Sequence, residues 1–190
     1  MPARLSLISH ASTSAQRLSA FPADEPVEES ALTKLAAINW QSPRANQILT
    51  APELRTQQTA EGLNLTATPT NELRDIAYGT WQGRTLNDLY AEDPAAMAQW
   101  LTDPASTPHN GESIIALIKR IEDWLTTLVA EEKKHTIAIT HPAVIRAAIL
   151  HTLNAPPQSF WRIDIVPLTL TDLRHNGRIW TLRSTAISLA

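Results

Sequence analysis

The chain has 190 residues, 43% of them apolar, a formal net charge of −3 and no cysteine. That length fits one domain spanning 1–190 with an ordinary buried core. The lack of cysteine excludes a disulfide framework, a thiolate nucleophile and a thiolate metal site. No long block of one charge occurs, so a nucleic-acid-binding face is not expected. No apolar run reaches the ~20 residues of a membrane span, so no membrane partner is expected either. Met1-Pro2-Ala3-Arg4 leads directly into an apolar run without a secretory pattern, and a cytoplasmic location is the expectation.

In chain order, strand-like apolar runs occupy residues 5–9, 48–51, 65–68 (the weakest) and 136–140. A helix is predicted over 52–62, with Pro52 near its start and Gly62 at its end. The longest helix is predicted over 111–130. There Ile114, Leu117, Ile118, Ile121, Leu125 and Leu128 recur at helical spacing, and Ser113 or Asn110 can cap the start. A third helix is predicted over 142–153, with Pro142 in its tolerated first turn. The end of the chain reads as short strands over 161–166, 168–173 and 179–183, with a turn at His175-Asn176-Gly177. Residues 12–29 and 93–110 read as irregular loops, the second as a cover over a site. Strands alternating with helices imply an α/β sandwich with a largely parallel sheet and antiparallel edge strands at its end.

In such sheets ligands bind outside the carboxyl ends of the strands. The run Leu5-Ser6-Leu7-Ile8-Ser9 ends at His10, and Ile137-Ala138-Ile139-Thr140 ends at His141. The run ending at Thr50-Ala51 is followed by Arg55, and a mixed segment from Leu73 to Gly83 carries Asp75 between aromatics and glycines. These are the groups that phosphoryl transfer to histidine requires. A neutral imidazole nitrogen attacks phosphorus while its other nitrogen is held by an acceptor. Guanidinium groups neutralise the phosphate oxygens, and a carboxylic acid protonates the leaving oxygen. His109, His135, His151 and His175 show no metal-ligand spacing and read as structural or exposed. No GxGxxG or GxxxxGK[ST] phosphate loop occurs.

Taken in order, Ser9-His10-Ala11-Ser12-Thr13, Thr50-Ala51-Pro52-Glu53-Leu54-Arg55-Thr56-Gln57-Gln58-Thr59-Ala60, Leu73-Arg74-Asp75 through Gly83, Gly111-Glu112-Ser113 and His141 with Val144-Ile145-Arg146-Ala147 resemble the motifs of the histidine phosphatase superfamily, which includes the cofactor-dependent phosphoglycerate mutases. The resemblance covers roughly residues 4–152. It implies a three-layer α/β/α sandwich and metal-independent phosphoryl transfer through a phosphohistidine. Phosphomonoester hydrolysis is expected rather than mutase action, because the chain is shorter than a typical mutase and shows no long substrate-binding insertion. By the same resemblance, His10 is the nucleophile, Arg55 a phosphate ligand, Asp75 the proton donor and His141 the completing histidine. Thr13 and Gln16 stand where the family places further phosphate contacts. No cofactor is implied, and the expected partner is a small phosphorylated substrate or inorganic phosphate.

Three positions depart from that pattern. Ser9 replaces the family's first arginine, Ala11 its glycine and Pro142 the glycine after the second histidine. Arg4 lies roughly 16 Å from Ser9 along an extended strand, so Arg17, in the loop after His10, is the candidate replacement. Proline lacks an N–H, which leaves Ala143 to donate at the helix start. Two readings follow: an enzyme with a rearranged phosphate pocket, or a weak or inactive relative that binds phosphate or a phosphoester without turning it over.

Overall fold

The computed structural model describes residues 2–131 and 134–189. In chain order it forms β1 (Pro2–Ser9), α1 (Ser14–Arg17), α2 (Glu29–Ala37), β2 (Gln47–Thr50), α3 (Leu54–Gly62), β3 (Thr68–Pro69), α4 (Leu86–Glu92), α5 (Pro94–Thr102), α6 (Ile114–Ala130), β4 (His135–Thr140), α7 (Pro142–Leu153), β5 (Thr169–Asn176) and β6 (Trp180–Ser188). Short 3₁₀ turns lie at Asn71–Leu73, Gly79–Trp81 and Pro157–Arg162. The strands make a six-stranded sheet in the order β3-β2-β4-β1-β5-β6. The first four in that order are parallel, while β5 and β6 pair antiparallel beside β1.

The central strands β1 and β4 are buried at nearly every position because both faces are covered. Leu5, Leu7 and Ala138 face the core shared with Leu117, Ile121 and Leu125 of α6 and with α7. Ile8, Ile137 and Ile139 face the opposite way, onto Leu35 of α2, Ala60 of α3 and Leu63. The result is the three-layer α/β/α sandwich that the alternation of elements implied. Ser113 caps α6, its Oγ accepting from Ala116 N at 3.1 Å, while the apolar stripe from Ile114 to Leu128 is buried.

The structure corrects several local expectations. Residues 161–166 are not a strand. The paired prolines Pro156 and Pro157 start a 3₁₀ turn, and Phe160 is buried as a single plug into the core. The weak run at 65–68 pairs only at Thr68 and Pro69, because a proline ends the ladder at this sheet edge. The presumed loop 93–110 contains α5, started by Pro94 and capped by Asp93 Oδ1 accepting from Ala96 N at 2.9 Å. Glu29–Ala37, unassigned from sequence, is the helix α2, with Leu35 packed against Gly62.

Strand register positions the site. Ser9 pairs with Thr140 and Thr50 with Ile139, so β1, β4 and β2 end side by side at one sheet edge. His10 N then donates to Thr140 O at 3.0 Å, and Ala51 N to Ile139 O at 2.9 Å. The two histidines, distant in sequence, emerge from neighbouring strands.

Candidate active site

His10 lies one residue past β1, almost fully buried. Its Nδ1 is 2.7 Å from Ala11 O. A carbonyl only accepts, so Nδ1 carries the proton and Nε2 keeps its lone pair. Burial first, then the positive potentials of His141 and Arg55, hold the ring well below the ordinary histidine pKa, despite the Ala11 hydrogen bond. The imidazole is therefore neutral and nucleophilic at neutral pH. A ¹⁵N-histidine titration is expected to keep the His10 ring in its neutral pattern down to about pH 6, where an ordinary histidine is mostly protonated. A midpoint at the ordinary value contradicts this assignment. The stability linkage has a definite sign. The unfolded ring binds a proton before the folded one does, so its contribution to stability falls as pH drops below the ordinary histidine range.

The ring belongs to a cavity of about 220 Å³ that Thr13, Gln16, Asp75, Tyr78 and Arg146 also line. Thr13 is the N-cap residue of α1, and its N donates to Gln16 Oε1 at 3.3 Å. His141 occupies the position just before α7 and is fully buried, its ring 5.2 Å from that of His10. Its Nε2 lies 2.9 Å from Glu53 Oε2, and its Nδ1 is 3.5 Å from Asp75 Oδ2 without hydrogen-bond geometry. Burial raises the Glu53 carboxyl, but the His141 hydrogen bond and charge, with the Asp75 N–H, bring it down to about 2. Glu53 is thus a fixed anion. Its Oε1 accepts from Asp75 N at 2.9 Å, so one carboxylate orients both the second histidine and the acid loop.

Asp75 faces the cavity through a loop clamped from behind. Arg120 of α6 donates from Nε and Nη2 to Glu112 at 2.9 and 2.8 Å, and from Nη1 to Glu72 O at 2.7 Å and Arg74 O at 3.0 Å. Glu72, the neighbouring acid, is exposed and bonds the Thr70 hydroxyl instead. Gly79 adopts φ +50°, and a Cβ there would lie 2.0 Å from His109 O, so only glycine lets this loop close on residues 109–111.

Arg55, on α3, is 1% exposed. Its Nη2 bonds Asp75 Oδ2 at 2.8 Å, its Nη1 bonds Ala23 O at 2.7 Å, and its Nε has no partner. It lines an adjoining cavity of about 280 Å³ that shares Asp75 and Tyr78 with the first.

Arg17 does not join the site. It pairs with Glu28 at 2.7 Å, its side chain is 63% exposed, and it does not line the His10 cavity. A short α1 turns it outward, on the side of Glu28. Arg4 lies at the far end of the sheet, bonded to Asp172. Ser9 is turned away as well. Its hydroxyl donates to Val166 O at 2.6 Å and accepts from Thr169 N at 3.1 Å, tying β1 to the turn before β5.

The guanidinium that reaches the cavity is Arg146, to which the sequence resemblance assigned no role. It follows Pro142 by four residues and Ala143 by three, so all three share the cavity face of α7. Its Nε donates to Ile163 O at 2.7 Å, and its two terminal amino groups have no hydrogen-bond partner among the described residues. Its Cζ lies 5.6 Å from the Phe160 ring centre and 5.8 Å from that of Trp161. Burial lowers its pKa from the ordinary guanidinium value, as for a cation stripped of water, although Tyr78, Asp164 and Asp75 oppose the shift. A helix beginning at Pro142 was predicted, and its spacing was the signal for Arg146. Glu53 had no comparable signal, because only the approach of β4 makes it a partner of His141. Among the described residues, no three histidine or acidic side chains are grouped to hold a metal ion.

The sequence and the fold have counterparts among known proteins. The model of the histidine phosphatase superfamily (branch 1) matches residues 10–188. The adenosylcobalamin/alpha-ribazole phosphatase of Salmonella typhimurium is 30% identical over 96 residues, 50% of this chain and 48% of that protein. The chain thus spans about half the length of such curated relatives. The mycobacterial glucosyl-3-phosphoglycerate phosphatase solved with inorganic phosphate superposes with a TM-score of 0.82 at 22% identity, covering 98% of both chains. YhfR of Bacillus stearothermophilus superposes with a TM-score of 0.87 at 19% identity, covering 97% of both chains. The structural likenesses speak for the fold, and the family match across nearly the whole sequence places this chain in the histidine phosphatase superfamily.

Proposed function

We propose that the chain is a metal-independent phosphomonoesterase that works through a phosphohistidine on His10. The observation that carries this reading is the His10 ring itself. It is neutral, its Nδ1–H is held by Ala11 O, and its Nε2 is free of partners in a cavity with Asp75 and Arg146. In the first step His10 Nε2 attacks phosphorus, the bond from phosphorus to the ester oxygen breaks, and Asp75 delivers a proton to that oxygen. In the second, Asp75 takes a proton from water, water oxygen attacks the phosphohistidine, and His10 leaves with its lone pair.

Charge on the phosphoryl oxygens is met by Arg146, by Arg55 and by the N–H groups of Ala143 and Val144 at the start of α7. Arg55 turns from Asp75 to the phosphate when substrate binds. The carboxyl that gives up Arg55 is then the one positioned to carry the proton. Thr13 and Gln16 supply further walls of the cavity. His141 is buried behind it, with Nδ1 on the Asp75 side.

Purified protein is expected to hydrolyse p-nitrophenyl phosphate in EDTA and, when quenched with ³²P-labelled substrate, to carry an acid-labile, base-stable label. A requirement for divalent metal sinks the reading. Ser9 motivates a second reading, a phosphate-binding module without turnover. Its signature is a rise in Tm with phosphate or vanadate and no hydrolysis across a broad panel of phosphomonoesters.

A further inference from the structure

We propose that the alcohol half of the substrate is apolar and ring-bearing and stacks in a second cavity opening from the His10 pocket. This rests on the phosphomonoesterase reading and adds the substrate class to it. The second cavity has a volume of about 370 Å³, and Phe21, Tyr78, Met97, Trp100, Leu101 and Trp161 form most of its walls. It shares Ala15, Gln16, Ala20, Pro22 and Tyr78 with the His10 pocket, so a phosphate held at His10 points its ester oxygen into a common mouth. No charged side chain lines it, and its polar side chains are those of Gln16, Ser19 and Tyr78.

The walls are rigid. Trp100 is 1% exposed and meets His109 at 4.5 Å, Trp81 at 6.3 Å and Trp161 at 5.9 Å between ring centres. Phe21 packs against Tyr78 in a tilted contact with ring centres 4.9 Å apart. A fixed aromatic wall selects a flat or apolar group, because rings gain from offset and edge contacts. Trp161 is 39% exposed and Leu101 42%, so both remain open to an incoming group. Arg146 stands at the junction, lining the phosphate pocket while its guanidinium lies over Trp161. A sugar or glycerate alcohol fits badly. Its hydroxyl or carboxylate groups lose water there and find few partners.

Phenethyl phosphate and glycerol 1-phosphate are both primary alkyl esters, which removes leaving-group acidity from the comparison. The wild-type kcat/KM for phenethyl phosphate is expected to be at least roughly 30-fold higher, equivalent to ~2 kcal/mol. Leu101→Gln and Leu86→Gln, both at exposed wall positions, are expected to erase most of that preference, read as the ratio of kcat/KM for the two esters, with Tm as the folding check. Equal kcat/KM for the two esters overturns the proposal and leaves the phosphatase reading intact. If neither ester is turned over, calorimetry with phenethyl phosphonate and 2,3-dihydroxypropyl phosphonate decides the matter. Tighter binding of the phenethyl compound supports the aromatic cavity while the hydrolysis reading fails, and equal binding overturns the cavity proposal.

Discussion

Replacing His10 with alanine is expected to lower kcat toward p-nitrophenyl phosphate by ~10⁴-fold or more and to abolish the trapped phosphoenzyme. The magnitude follows from the site having one competent nucleophile. His141, the other histidine present, has Nε2 engaged with Glu53 and only Nδ1 facing Asp75. Asp75 is left able to activate water, but at a site built for a covalent step. Substitution also removes the Nδ1 contact to Ala11 O, so His10→Gln, closer in size, serves as the folding control, with Tm as the check. Residual activity within tenfold of wild type in both variants rules out the phosphohistidine route.

Arg146→Ala is expected to lower kcat/KM by ~10² to 10³-fold, the usual loss when one preorganised charge donor is removed from a transition-state site. In the proposed reaction Arg146 takes the part of the arginine whose place Ser9 occupies. It approaches the phosphate from α7 rather than from the end of β1, and its terminal amino groups are free to grip two oxygens. Arg146→Lys keeps the charge but not the fork and is expected to recover only part of the loss. Arg17→Ala leaves rates unchanged, because that side chain is spent on Glu28 at the surface. Ser9→Arg brings no gain, since the Ser9 hydroxyl is buried among Val166 and Thr169 and a long side chain breaks that tie. Rates for Arg146→Ala within a factor of three of wild type, with intact Tm, remove Arg146 from the phosphate site.

Much of this was legible in the sequence. The doubly buried strands β1 and β4 show as short, mostly apolar runs, and α6 shows as a stripe at helical spacing. Those signals are local, so composition and period carry them. The end of the chain was harder. Trp161, Ile163 and Ile165 are spaced like a strand, yet two prolines and the surface of α7 make this stretch a turn that fills gaps in the core one residue at a time. Periodicity of two over six residues cannot distinguish those cases. Residues 93–110 were misread for a related reason. Their prolines suggested a loop, but Pro94 stands at a helix start, where its missing N–H costs nothing.

The layered α/β architecture, the family, and the placing of His10 and His141 at strand ends are all readable from the amino-acid sequence. Each of these follows from short-range pattern plus the order of motifs along the chain. Which charges meet depends on how the elements pack. That packing set His10 beside His141 through strand register, gave Asp75 its two partners Arg55 and Glu53, sent Arg17 to the surface, and brought Arg146 into the pocket that Ser9 does not serve. The reason is physical. Helix and strand formation are governed by neighbours within a few residues, whereas an ion pair is set by which elements pack together, over separations of twenty to nearly ninety residues here.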